Sequence, residues 1–79
     1  MEYKDFAKKV ETEILPNKQP FIRKGQAIMN YLGDVWIEEY KRLSSVHYYD
    51  QTNIDCFYND DLISNTMKHL EKVWQNFPH

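Results

Sequence analysis

Three histidines (His47, His69 and His79) and one cysteine, Cys56, are the side chains of this 79-residue chain that could ligate a transition metal. Structural zinc sites draw their ligands from closely spaced thiolate or imidazole pairs. No two of these four are so spaced, so scattered histidines and one small buried cysteine are the simpler reading. Asp50, Asp55, Asp60 and Asp61 could offer oxygens to magnesium or calcium, and with them a metal-dependent enzyme. That segment lacks calcium-loop spacing and its central glycine, and turn formation or helix capping accounts for aspartates at such places. Cys56, His47 and a carboxylate make a nucleophile–base set only on paper, because such sets are recognised by geometry. Neither a glycine-rich phosphate loop nor the HExxH or GxSxG pattern occurs. The expectation is no catalytic residue, no metal site and no cofactor, with an enzyme as the third reading.

Binding chemistry is better supplied. Arg23, Gln26 and Asn30 recur at helical spacing and share one polar strip opposite Ile28 and Leu32. These side-chain types grip a protein backbone or read base edges. Tyr48, Tyr49, Phe57 and Tyr58 are more rings than an exposed loop needs, and Tyr and Arg dominate interface hot spots. The leading expectation is therefore a small non-enzymatic interaction or regulatory protein that binds a protein partner through Arg23, Gln26, Asn30 and Tyr58. In the alternative, a nucleic-acid-associated protein, the second helix makes the contact and Lys18, Lys24, Lys41 and Arg42 meet phosphate. The competing structural explanation is that Gln26 and Asn30 hydrogen-bond the 55–61 loop while Phe57 or Tyr58 inserts between the second and last helices.

The elements that must position these groups follow from apolar periodicity. Over residues 2–15, Tyr3, Phe6, Val10 and Ile14 recur every three or four residues, a helix ended by Pro16 and Pro20. A second helix is predicted over residues 21–32, where Gly25 is costly unless another segment approaches closely there. Gly33 reads as its stop and Asp34 as the cap of a third helix over 35–43 that buries Trp36, Ile37, Tyr40 and Leu43. Residues 44–59 lack helical period. A packed aromatic loop is preferred to a hairpin of 46–49 against 54–58, because isolated hairpins are marginal. Asn59 or Asp60 caps a last helix reaching about Asn76, with Ile63, Met67, Leu70, Trp74 and Phe77 on its stripe. The fold class expected is all-α: one small four-helix domain over residues 1–79, the first and last helices flanking the shorter pair, with an ordered aromatic loop before the last helix.

Composition sets the outer bounds. With 42% hydrophobic and 15% aromatic residues the chain can fold, but a domain this small buries only about 60–65% of its unfolded surface, which disfavours a deep cofactor pocket. The net charge of -2 does not supply the basic footprint of an obligate nucleic-acid binder. Eight bases and seven acids fall in residues 1–43, two bases and five acids in 44–79, so an anionic partner would touch the first half. One cysteine cannot form an intramolecular disulfide, and there is no apolar signal core or run of transmembrane length; a cytoplasmic protein with no membrane partner is expected. A homodimer is plausible if Trp36, Trp74 and Phe77 leave an apolar stripe uncovered.

The stretch Arg23-Lys24-Gly25-Gln26-Ala27-Ile28-Met29-Asn30-Tyr31-Leu32, followed by Asp55-Cys56-Phe57-Tyr58-Asn59-Asp60, resembles a group of short bacterial and phage-associated proteins. Their shared pattern is R-x-G-Q-A-x-x-N-x-L, then D-x-F-Y-x-D. The resemblance implies a compact helical cytoplasmic protein derived from a mobile element, and implies no particular activity. Cys56 stands where such chains often carry proline.

Overall fold

In a computed structural model, which describes residues 1–45 and 54–78, the fold is all-α and the described residues form four helices. Helix α1 spans residues 3–17 in three consecutive pieces, α-helical Tyr3–Lys9, a π turn Val10–Ile14 and α-helical Leu15–Asn17. It begins on a capping box between Glu2 and Asp5. Its apolar stripe is the predicted one, with Phe6 and Val10 buried. Pro16 does not end it. In a regular α-helix the proline ring meets the carbonyl four residues back; the wider π turn ahead of Pro16 relieves that clash, and the helix runs on to Asn17 before Lys18 turns extended.

Helix α2 is Lys24–Val35, displaced by three residues from the expected 21–32. Pro20 sits second in a turn closed by the Ile22 N–H donating to the Gln19 carbonyl at 3.0 Å, which leaves Phe21 on the turn rather than in the helix. Gly33 and Asp34 are helical, not stop and cap, and no described glycine has positive φ. The break falls at Trp36 (φ -152, ψ 76), which closes α2 and opens α3, Ile37–Leu43. Burying the indole fixes this joint: Trp36 is almost wholly covered, edge-on to Trp74 at 5.2 Å and Phe77 at 5.4 Å between centroids. Against expectation Ile37 is exposed and Glu39 is buried on α3, because positions 36, 39, 40 and 43 are the ones that face the core.

Helix α4 spans residues 60–76, with 3₁₀ turns Asp60–Leu62 and Trp74–Asn76 around α-helical Ile63–Val73. The Asn59 side chain caps it by accepting from the Asp61 N–H at 2.9 Å. Leu70 and Trp74 are buried as predicted, and Thr66 is buried with them. Trp74 is the hub of the core: it touches Tyr3, Phe6, Trp36 and Phe77, and its indole N–H donates to the Met1 carbonyl at 2.8 Å. Trp36 and Trp74 are thus covered within one chain, and Phe77 is partly covered. No helix among the described residues is long and apolar enough to cross a membrane.

Candidate functional site

From Ile54 onward the connection before α4 forms no strand; the other proposed hairpin arm, with Tyr48 and Tyr49, lies outside the described residues. Its shape begins locally. Asp55 Oδ1 accepts the Phe57 N–H at 3.0 Å, and the Cys56 carbonyl accepts the Asn59 N–H at 3.2 Å, turning the chain twice within five residues. The Thr66 hydroxyl holds the entrance by donating to the Ile54 carbonyl at 2.7 Å.

This turn docks on the first turn of α2. The Gly25 N–H donates to Asp60 Oδ1 at 2.8 Å, the Cys56 thiol to the Gly25 carbonyl at 3.6 Å, and Arg23 Nη2 to the Phe57 carbonyl at 3.1 Å. A Cβ on Gly25 would collide with the Cys56 carbonyl, which is the close approach that its helix-breaking cost implied. Asp60 supplies a negative charge at the positive end of α2. The two sequence patterns, Arg23-x-Gly25 and Asp55-x-Phe57-Tyr58-x-Asp60, are therefore two halves of one contact. Burial in this joint pushes the Cys56 thiol above its ordinary 9.0, with the Asp55 and Asp60 charges adding to the rise and a hydrogen bond to Thr66 opposing it.

Docking leaves the Tyr58 ring outside. Its exposure is 79%, yet it is braced: the Phe57 ring packs edge-on at 4.7 Å and the Arg23 guanidinium lies 5.8 Å from its centroid. A cleft of about 180 Å³ opens beside it, lined by Met29, Tyr40, Ser44, Asp55, Phe57 and Tyr58.

The expected strip divides in two. Arg23 reaches the loop, but Gln26 and Asn30 make no hydrogen bond to it among the described residues. Asn30 instead shares a separate groove of about 290 Å³ with Lys18, Ile14, Ile22 and Tyr31, between the end of α1 and α2. The reason is that Arg23 is the extended N-cap (φ -70, ψ 156), so its side chain does not follow the helical wheel that relates Gln26 to Asn30. It is Phe57, partly buried against the core, that packs inward while Tyr58 stays out.

The expected phosphate contacts are also dispersed. Arg42 Nη1 is paired with Glu39 Oε1 at 3.2 Å, while Glu39 Oε2 meets His69 Nε2 at 3.0 Å, joining α3 to α4. Lys24 and Lys41 are exposed on different helices, and the N-terminus of α2, the natural anion site, already holds Asp60. Among the described residues no three His, Cys, Asp or Glu side chains converge as metal ligands; His47, Asp50 and His79 lie outside them. Two features escaped the sequence reading. Glu39 is signalled by the 36/39/40/43 spacing, whereas the reach of Asp60 to another helix has no local signal. No family model, curated protein or solved structure matches the chain.

Proposed function

We propose that the chain is a small interaction or regulatory module that binds a protein partner through Tyr58 and Arg23. One observation carries this: a tyrosine that is 79% exposed while its ring rests against Arg23 and Phe57. A ring so supported loses little rotamer freedom on binding, and Tyr and Arg are the side chains on which interface energy concentrates. The partial engagement of Arg42 by Glu39 and the filled anion position at α2 favour a protein over a nucleic acid. A mobile-element origin, the expectation attached to the Arg23–Leu32 and Asp55–Asp60 patterns, is compatible with such a role.

Affinity capture from nuclease-treated host lysate, with the wild type beside Tyr58→Ala, tests the reading. The expected result is a specific protein retained by the wild type and lost by the variant, with stability reduced by only about 1 kcal/mol, because the residue is exposed and loses just its contacts with Arg23 and Phe57. Equal capture by both would refute it. Binding that requires nucleic acid and falls steeply with salt would support phosphate contact through Lys18, Lys24, Lys41 and Arg42 instead.

A further inference from the structure

We infer that the cleft beside Tyr58 receives a lysine side chain of the protein partner. This deepens the contact-surface reading above and rests on it. The cleft's volume, about 180 Å³, is below the roughly 300 Å³ at which pockets for whole metabolites begin, and near the roughly 150 Å³ that encloses one benzene. It accommodates one side chain. Three of its six lining residues are aromatic (Tyr40, Phe57 and Tyr58) and a fourth, buried Met29, is a thioether. Aromatic faces are negative and attract a cation within about 6 Å of the ring centre, as Arg23 already demonstrates on Tyr58 from a position that does not line the cleft.

The polar lining fixes the sign and the type of charge. Asp55 is the ionisable acid of the cleft. Its Oδ1 is committed to the Phe57 N–H at 3.0 Å, and Oδ2 has no protein donor among the described residues. Ser44 adds a hydroxyl, which itself donates to the Lys41 carbonyl and so keeps its lone pairs for an incoming donor. An ammonium with three donors on a slim apolar stem matches one carboxylate oxygen, one hydroxyl and aromatic walls. A guanidinium, with five donors in a planar fork, would leave several unmet. Asp60 and Asp61, in the first turn of α4, add to the attraction at longer range, against the opposing Arg23 guanidinium 5.8 Å from the Tyr58 centroid.

The test is an NMR titration of the intact chain with N-acetyl-lysine N-methylamide, alongside the same compound acetylated on its side-chain nitrogen. Expected are saturable shifts at residues 55–58, weak as befits one side chain, and about tenfold weaker binding of the neutral analogue. Asp55→Asn should weaken lysine binding by a similar factor, since asparagine keeps the acceptor for the Phe57 N–H and removes only the charge. Equal affinity for both compounds, or no localised shift, would overturn the inference, and this comparison on the wild type decides the matter even if Asp55→Asn folds poorly. Partner capture that is lost in Tyr58→Ala but unaffected by acetylating the partner's lysines would overturn the lysine inference and leave the contact surface standing. Failure of Tyr58→Ala to affect capture would remove the surface itself.

Discussion

Gly25→Ala is the sharpest perturbation of the loop–helix joint. In an open helix the change would stabilise by about 1 kcal/mol, because alanine lowers the entropic cost that glycine imposes. Here the new Cβ meets the Cys56 carbonyl and carbon and comes within 3.1 Å of Asp60 Oδ1, and backbone cannot rotate aside as a side chain can. The 54–60 turn must lift. Overpacking of this kind costs about 1–3 kcal/mol, and losing the charge-assisted Gly25–Asp60 hydrogen bond adds about 1.5–3 kcal/mol. After the propensity gain, the net expected loss is about 1.5–5 kcal/mol. For a domain of this size it lowers Tm by at least about 6 °C, at about 4–8 °C per kcal/mol. Gly33→Ala is the internal control. Its Cβ would lie 3.5 Å from the Tyr40 ring, an ordinary contact, so the propensity gain survives and Tm rises by a few degrees. Thermal denaturation followed by circular dichroism reads both. A Gly25→Ala variant as stable as Gly33→Ala would refute the close docking of the turn on α2.

Asn30→Ala should leave stability within about 0.5 kcal/mol, since its side chain is exposed and unbonded among the described residues; a larger loss in urea titration would restore the structural role expected for it. Glu39→Ala should cost about 2 kcal/mol or more, because the buried carboxylate bonds both Arg42 and His69, whereas Glu39→Gln should recover part of that loss in the same titration. Cys56 is fully buried, and native protein should react with a thiol reagent only as fast as it opens. Its folded pKa is raised, so the native state holds the proton more tightly. Stability is then intact below 9.0 and falls as pH rises through the folded value, with Tyr3 and Tyr31, raised chiefly by burial, adding to the fall above 10.0. Thermal scans from pH 7 to 10 on the wild type and Cys56→Ala should show a shallower decline in the variant.

The helical stripes of α1 and α4 were legible because they depend on local period: Phe6 and Val10, then Leu70 and Trp74, fall where spacing places them. Gly25 was legible too, since a costly residue inside a helix implies a neighbour. Gly33-Asp34 carries a strong local stop signal, and it lost to Trp36, whose burial against Trp74 and Phe77 sets the actual break. Hydrophobicity put Ile37 in the core, but the register fixed by Trp36 turned Glu39 inward, where Arg42 and His69 satisfy it. Of the candidate site, Arg23 and Tyr58 were singled out by residue type. Their partnership was not, because it runs through the Phe57 carbonyl and the Asp60–Gly25 bond, which join residues more than thirty positions apart.

The most direct test of Tyr58 as the partner contact is site-specific photocrosslinking, with a benzophenone amino acid replacing Tyr58 in the native host and, separately, replacing exposed Glu11 on α1. The expected result is a nuclease-resistant adduct to a protein from position 58 and none from position 11. Identical adducts from both positions, or an adduct from 58 to nucleic acid alone, would contradict it.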